Sequence, residues 1–202
     1  GPGHLGLFGY DPMEFQIGRG ILEALGVGAE VTSGEVCARG NFATWTEDGV
    51  ISDRRAGRIS SEKNRQIIER LRNEIREIDG VRVRFYPGEE HRFVVVLSGE
   101  GLSEAVTDAD PQKEGLPMKW AGPSRPGGEK TADAVNALIR RVRQVLSDEP
   151  AANGCLLRGL SGAPLIPGLP ELYKINPATI ATYPMYRGLA RLVGMEVLDA
   201  GR

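Results

Sequence analysis

The chain has 202 residues, of which 41% are hydrophobic and 26% charged, so it is long enough for one large or two small domains and too apolar to be disordered. Its net charge of −2 argues against duplex nucleic acid as the main partner, because that affinity needs a broad excess of Lys and Arg. No stretch approaches the roughly 20 apolar residues of a membrane span, and no signal peptide is recognisable, so we expect a cytoplasmic protein without a membrane partner. Cys37 and Cys155 lack a second ligand at metal spacing and are expected to be reduced thiols.

The first third of the chain predicts a helix, a hairpin and a second helix. Asp11-Pro12 opens a helical pattern that runs to residue 26. Strand-like segments 35–46 and 50–53 flank an Asp-Gly dipeptide, which supplies the positive φ angles of a tight turn. Apolar residues three and four apart then predict a helix over 60–80.

The rest of the chain continues this alternation. The predicted elements are strands 81–85 and 93–97, a helix over 131–146, strands 153–157 and 178–182, a helix over 185–193 and a strand over 196–198. Residues 107–130 are rich in Pro, Gly, Asp and Lys and predict a long loop, of the kind that is usually functional or mobile. We therefore expect an α/β (α+β) fold, with a mixed or antiparallel sheet and helices packed on it.

Arginines around the first predicted hairpin are the main indication of function. They are Arg39, Arg54, Arg55 and Arg58. A guanidinium binds phosphate or carboxylate through two hydrogen bonds, and four of them on one short element are costly without an anion. Arg158 follows the strand predicted over 153–157, and ligands of open α/β sheets collect beyond the carboxyl ends of strands. The alternative is a solvated strip paired with acids such as Asp53 and Glu62, which adds little stability.

Other chemistries have weaker support in the sequence. The Gly-rich start lacks the Lys-Ser/Thr of a P-loop, and nothing places a serine nucleophile beside His4 or His91. Asp108 and Asp110 form an Asp-x-Asp pair that can bind a hard cation, but the Gly turn and distal Glu of a calcium loop are missing.

Five segments resemble the archaeal-type, cofactor-independent (2,3-bisphosphoglycerate-independent) phosphoglycerate mutases. In family order they are HLGLFGYDP from His4, ARGNFAT from Ala38, DRRAGR from Asp53, LLRG from Leu156 and YPMYRGLARLVGM from Tyr183. The resemblance implies an isomerase of the alkaline phosphatase superfamily that interconverts 3-phosphoglycerate and 2-phosphoglycerate in glycolysis. It implies a phosphoserine intermediate and two divalent metal ions (Mn, Mg or Zn) in the complete enzyme, with an inserted domain that holds the substrate.

The same resemblance implies that part of the catalytic machinery lies outside this chain. In the family the Gly-Pro-Gly-His stretch directly follows the catalytic serine, so the nucleophile is expected just before Gly1. The family's metal ligands are also expected outside the chain, and the isolated chain is expected to bind no metal and to be inactive without the missing phosphatase-like portion. We expect 1–26 and 164–202 to be pieces of that portion and 27–163 to be the inserted substrate-binding domain. Gln112 stands where many relatives carry His.

We therefore hypothesise that one group of side chains binds phosphoglycerate. It comprises Arg39, Arg54, Arg55, Arg58, His91, Arg92 and Arg158. For His91 and Arg92 the polar start of an edge strand is an equally good interpretation. Two other hypotheses stay open: a non-catalytic anion-binding or regulatory module that uses the same arginines, and a single-stranded RNA binder that uses Phe42 and Trp45 with the basic hairpin.

Overall fold

A seven-stranded sheet lies at the centre of the computed structural model, which describes residues 2–11, 13–15 and 17–199. Its strands are β1 (Val36–Trp45), β2 (Val50–Asp53), β3 (Glu77–Ile78), β4 (Val81–Pro87), β5 (Arg92–Ser98), β6 (Leu116–Pro117) and β7 (Gly154–Gly162). The order is β3-β4-β5-β1-β2-β6, with β7 also paired to β1, and all these pairings are antiparallel. The longest strand, β1, is therefore the element that joins the others.

The described residues also form helices and a small parallel sheet. The helices are α1 (Pro2–Leu7), α2 (Arg19–Gly26), α3 (Ser61–Glu74), α4 (Glu129–Val145), α5 (Leu169–Tyr173) and α6 (Pro184–Leu192), and the parallel strands are β8 (Ala178–Ile180) and β9 (Glu196–Leu198). None of the helices in this part of the chain is both long and apolar enough to cross a bilayer.

Helices cover both faces of the sheet, which explains the continuous apolar run in β5. Phe93 and Val95 face α3 and α4 in the main hydrophobic core, whereas Val94 and Val96 face α2. A strand buried on both faces needs no polar alternation. The two free cysteines are buried in these separate clusters, and burial raises both thiol pKa values, that of Cys37 to about 12.

The predicted fold class is confirmed: a sheet, antiparallel in its main part, has helices packed on it. Ser60 caps α3 by accepting the Lys63 N–H, as its place before the apolar pattern predicts. The predicted end of this helix at residue 80 is wrong, because Ile75 is extended and residues 77–78 pair with β4.

Two other boundaries also differ from the prediction. The helix predicted from Asp11-Pro12 begins only at Arg19; Asp11 lies in a loop and Pro12 lies outside the described residues. The strand predicted to end at residue 157 continues to Gly162, so Arg158 lies inside β7 rather than at its end. The position of Arg158 is therefore set by the pairing of β7 with β1 and not by the end of a strand.

A separate apolar cluster joins the two ends of the chain. Leu5 and Tyr10 near the start pack with Leu169, Leu189 and Val193 near the end, and α2 lies between this cluster and the sheet. The proposed boundaries 1–26, 27–163 and 164–202 stay a prediction. Gly1, beside which the nucleophile is expected, lies outside the described residues.

Candidate anion-binding site

All seven predicted site residues line one cavity of about 200 Å³, which we call the arginine cavity. Its lining residues are Arg39, Asn41, Arg54, Arg55, Arg58, His91, Arg92 and Arg158. They come from β1, the segment after β2, the start of β5 with the residue before it, and β7. Six guanidinium groups therefore converge on one space from four separate parts of the chain.

Register in the sheet explains how the strand residues meet. Arg39 is opposite Arg158 in the β1–β7 pair, and Asn41 is opposite Arg92 in the β1–β5 pair. Side chains two residues apart on a strand share a face, so Arg39 and Asn41 both face the cavity. Like charges directly opposite each other in a sheet are destabilising, which makes the Arg39–Arg158 pair an arrangement that an anion would stabilise.

A left-handed turn carries the arginines that follow β2. Ala56, Gly57 and Arg58 have φ angles of 49°, 62° and 53°. The Asp53 carboxylate holds this turn by accepting the N–H groups of Arg55 and Gly57, both at 2.7 Å. A left-handed conformation costs a non-glycine residue roughly 1–2 kcal/mol, and such strain clusters at functional sites.

The fully buried Asp110 carboxylate fixes the positions of two arginines of the cavity, Arg54 and Arg158. It accepts two hydrogen bonds from Arg54, at 3.1 and 2.6 Å, and a longer one of 3.5 Å from Arg158. Asp108 accepts the Gly159 N–H at 2.6 Å. Both carboxylates of the Asp-x-Asp pair are thus engaged by protein donors. Within the described ranges, no group of three or more Asp, Glu, His or Cys side chains could hold a metal ion.

The arginines differ in how far the protein satisfies them. Glu23 on α2 lies 3.6 Å from Arg39, whose pKa is lowered mainly by burial and further by Arg158 and Arg92. The side chains of Arg55 and Arg58 form no ion pair or hydrogen bond with any residue that the structure describes. In the alternative interpretation, a solvated surface strip, Asp53 would pair with these guanidinium groups. Its carboxylate instead accepts backbone N–H groups, so this ion pair is not formed.

Unpartnered buried polar atoms converge on the same cavity. Among the described residues, the Nε atoms of Arg39 and Arg92, the Asn41 Oδ1 and the His91 Nδ1 are buried without a hydrogen-bond partner. Burial lowers the pKa of His91 to about 4, with Arg92 adding to the shift, so the imidazole is neutral at neutral pH. Because buried polar atoms in proteins are normally paired, four orphans around one cavity indicate that a ligand or water completes them.

A second cavity of about 360 Å³ adjoins the first and shares Arg54 and Arg158 with it. Asp108, Asp110 and Gln112 from the predicted long loop form one wall, and Arg19 at the start of α2 forms another. The loop therefore contributes to the site, as its composition suggests. Sequence reasoning missed Asn41, although it lies two residues after Arg39 on a predicted strand, and had no signal for the contact between Asp110 and Arg54, 56 residues apart.

The RNA hypothesis is wrong for its aromatic residues. Phe42 is fully buried and stacks on Phe93 with ring centroids 4.4 Å apart. Trp45 is only 4% exposed. Neither ring is free to form the open stacking platform that single-stranded nucleic acid needs.

Comparison with known proteins decides the family. Residues 1–152 match the family model of 2,3-bisphosphoglycerate-independent phosphoglycerate mutase. The chain belongs to this family. A probable mutase of this kind from Thermotoga neapolitana is 55% identical over 202 residues, and one from Thermus thermophilus is 55% identical over 198 residues. The match takes in 100% and 98% of this chain but 50% and 49% of those mutases, so the chain spans about half the length of these curated relatives.

Solved structures agree with this membership. The cofactor-independent phosphoglycerate mutase from Thermoplasma acidophilum superimposes with a TM-score of 0.76 at 35% identity, covering 98% of this chain and 56% of that mutase. The PH0037 protein from Pyrococcus horikoshii superimposes with a TM-score of 0.72 at 23% identity, covering 98% of this chain and 46% of that one, and shows the fold alone. The arginine cavity of this chain therefore lies in a fold that matches that of a solved mutase.

Proposed function

We propose that this chain forms the substrate-binding part of a phosphoglycerate mutase that interconverts 3-phosphoglycerate and 2-phosphoglycerate. The observation that carries the proposal is the convergence of six arginines, two of them without any described partner, on one cavity in a chain of this family. The phosphate and carboxylate of phosphoglycerate are the two anions that such a cavity would hold.

The charge and hydrogen-bonding pattern of the cavity suits this substrate. A phosphate monoester carries about −1.5 to −2 charges at neutral pH, and the carboxylate adds one more. Only two acidic side chains, Glu23 and Asp110, pair with the cavity arginines among the described residues, which leaves excess positive charge. Donors at the Arg39 and Arg92 Nε atoms suit anionic oxygens, and the acceptor at the Asn41 Oδ1 suits the glycerate hydroxyl.

The arginines would also act during phosphoryl transfer. A transferring phosphoryl group spreads negative charge over its oxygens, and fixed cations in a closed site stabilise that charge without reorganisation. Asp110 holds Arg54 and Arg158 in position beforehand, so that their guanidinium groups need not be ordered by the substrate. This chain's part in the reaction is thus to bind, orient and stabilise the substrate.

Transfer to a serine, with a phosphoserine intermediate, is proposed for the whole enzyme and not for residues of this chain. The two divalent ions that the family implies do not fit the described residues, because none of their acidic, His and Cys side chains form a cluster of three. We therefore assign the metal ions to none of the described residues. The isolated chain should show no mutase turnover with Mn, Mg or Zn, and robust turnover would overturn this division of labour.

The substrate role of the arginines is tested by kinetics of the full-length protein. Arg55→Ala and Arg58→Ala should each lower kcat/KM about tenfold or more, because each removes at least about 1.4 kcal/mol of transition-state stabilisation. Arg65→Ala on the exposed side of α3, outside the cavity, is the matched control and should keep normal kinetics. If Arg55→Ala and Arg58→Ala also keep normal kinetics, the arginines are not substrate ligands. A different outcome would favour a non-catalytic anion-binding module: the full-length protein binds phosphoglycerate but has no mutase activity, and the two variants lose that binding.

A further inference from the structure

A larger cavity, of about 620 Å³, lies at the far end of β1 from the arginine cavity. Trp45 and Trp120, the two tryptophans of the sequence, line it together with Arg140 and Arg143 of α4. Trp45 follows Asn41, the residue of the arginine cavity nearest to it on β1, by four residues, which corresponds to roughly 13 Å of strand. The two cavities share no lining residue. This aromatic cavity is therefore a separate place, with no part in the function proposed above.

Two asparagine side chains hold the tryptophan segments in place. Asn153 accepts the Trp45 N–H at 2.7 Å and donates to the Trp45 carbonyl at 3.0 Å. Asn136 on α4 forms the same pair of bonds with Ala121, the residue after Trp120: it accepts the Ala121 N–H and donates to the Ala121 carbonyl, both at 2.9 Å. Each amide mimics a neighbouring strand and fixes the backbone. The aromatic walls are thus set before any ligand arrives, which lowers the entropy cost of binding.

An arginine lies over each tryptophan ring. The Arg140 guanidinium carbon is 4.6 Å from the Trp120 ring centroid, and that of Arg143 is 4.9 Å from the Trp45 centroid. Arg143 also donates to the Thr46 carbonyl at 2.9 Å, so its position is fixed. Arg140 forms no ion pair or hydrogen bond within the described part of the chain. A guanidinium over an aromatic face keeps its N–H groups available for an anion.

We propose that the aromatic cavity binds a nucleotide, that is, a heteroaromatic ring that carries a phosphate group. Trp120 is 38% exposed, so part of its ring stays open to a base although Arg140 lies over it, while Ile139 supplies an apolar floor. Arg140, one helical turn from the fixed Arg143, supplies the free cation for the phosphate. The volume lies within the usual range for small-molecule sites, which is about 300–1,000 Å³.

A purely structural role explains these contacts less well. Arginine–tryptophan pairs do stabilise protein surfaces, by about 0.5–1 kcal/mol at exposed sites. That role requires neither a concave space between the pairs, nor a cation without a counter-ion, nor two amide clamps on the flanking backbone. A ring-bearing phosphate uses all of these features at once.

Tryptophan fluorescence of the 202-residue chain tests the proposal, because both tryptophans report on this cavity. Excited at the red edge of indole absorption, the chain should show saturable quenching by adenosine monophosphate. Adenosine should bind about tenfold more weakly or worse, since it lacks the charge-assisted hydrogen bonds to Arg140. Inorganic phosphate should leave the emission unchanged, because it has no ring to stack. No saturable quenching at millimolar nucleotide, or equal quenching by inorganic phosphate, would overturn the proposal.

Three variants locate the binding. Arg140→Ala should raise the Kd for adenosine monophosphate at least about tenfold. Arg141→Ala is the matched control on α4, because its guanidinium pairs with Glu74 at 3.6 Å outside this cavity, and it should bind normally. Arg55→Ala should also bind normally, which separates this cavity from the arginine cavity. Far-UV circular dichroism checks that all three fold. Normal binding by Arg140→Ala, or loss confined to Arg55→Ala, contradicts the assignment.

Discussion

At the scale of single residues, the arginine cavity contains two kinds of guanidinium. Arg54 and Arg158 share the buried Asp110 carboxylate, so the protein fixes their positions. Arg55 and Arg58 have no counter-ion among the described residues and are held only through the strained backbone turn. Removing Asp110 would leave two poorly solvated cations, which costs more than a lost surface pair. The residues with the strongest partners are therefore the scaffold, and those without partners are available to a ligand.

The His91 side chain should make stability depend on pH. Its pKa of about 4 in the folded chain lies below the ordinary value of 6.5, so between these pH values only the unfolded chain binds the proton. The stability that the chain has with His91 neutral is fully present above pH 6.5, and it is lost as the pH falls toward 4. The free energy of unfolding should lose on the order of 3 kcal/mol over that window.

Denaturant unfolding at several pH values measures this effect. His91→Gln removes the titrating group, so its free energy of unfolding should fall less than that of the parent chain between pH 6.5 and 4. His4→Gln, which removes an exposed histidine, is the matched control. If His91→Gln and the parent chain lose stability in parallel, His91 is not buried in its neutral form.

At the scale of elements, α2 and α6 meet backbone to backbone, and this contact supports the site. A Cβ on Gly188 of α6 would lie 1.8 Å from the Leu22 carbonyl oxygen, and one on Gly26 would lie 2.0 Å from the Pro184 carbonyl oxygen. Glu23, the partner of Arg39, lies on α2 within this contact. The position of the acidic side chain that pairs with Arg39 thus depends on glycines in a helix pair.

Gly188→Ala should therefore destabilise the chain. Alanine favours a helix by about 1 kcal/mol over glycine. At this position, however, its methyl group would overlap the backbone of Leu22, which would have to shift. We expect a net loss of about 1–3 kcal/mol, the usual range for overpacking. Gly122→Ala, where a Cβ would meet nothing within 4 Å, is the control and should change stability little. Thermal unfolding compares the two, and a stabilised Gly188→Ala chain would show that the helices do not touch there.

Local sequence patterns predicted the helices and strands that have one buried face. They did not predict the side-chain contacts between elements that are distant in the sequence. The first hairpin follows from strand-like segments around an Asp-Gly turn, and the helix after Ser60 follows from an N-cap and apolar spacings of three and four. The end of α3 was misplaced, because Ile78 keeps the helical spacing but pairs with Val81 in the sheet. The seven predicted residues do line one cavity, whereas the support from Asp110 could not be predicted from the sequence. Sequence spacing carries no information on which distant carboxylate a guanidinium will meet.

At the scale of the whole molecule, uncovered apolar surface is concentrated at the two ends of the chain. Leu7, Leu165 and Ile180 are all more than half exposed. Among the described residues, all the exposed large hydrophobic side chains except Leu116 and Trp120 lie outside 27–163. The curated relatives are about twice as long as this chain. If the predicted boundaries hold, we expect the phosphatase-like portion of the enzyme to pack against this surface.

The central claim is that the arginine cavity binds phosphoglycerate, and a titration of the chain with 3-phosphoglycerate tests it most directly. In a nitrogen-15-labelled sample, NMR can follow the side-chain Nε–H signal of each arginine separately. The account predicts that the signals of Arg39, Arg55, Arg58 and Arg158 shift along one saturation curve while exposed Arg65 stays unchanged. Cavity signals that do not move at saturating ligand, or an equal shift at Arg65, would contradict it.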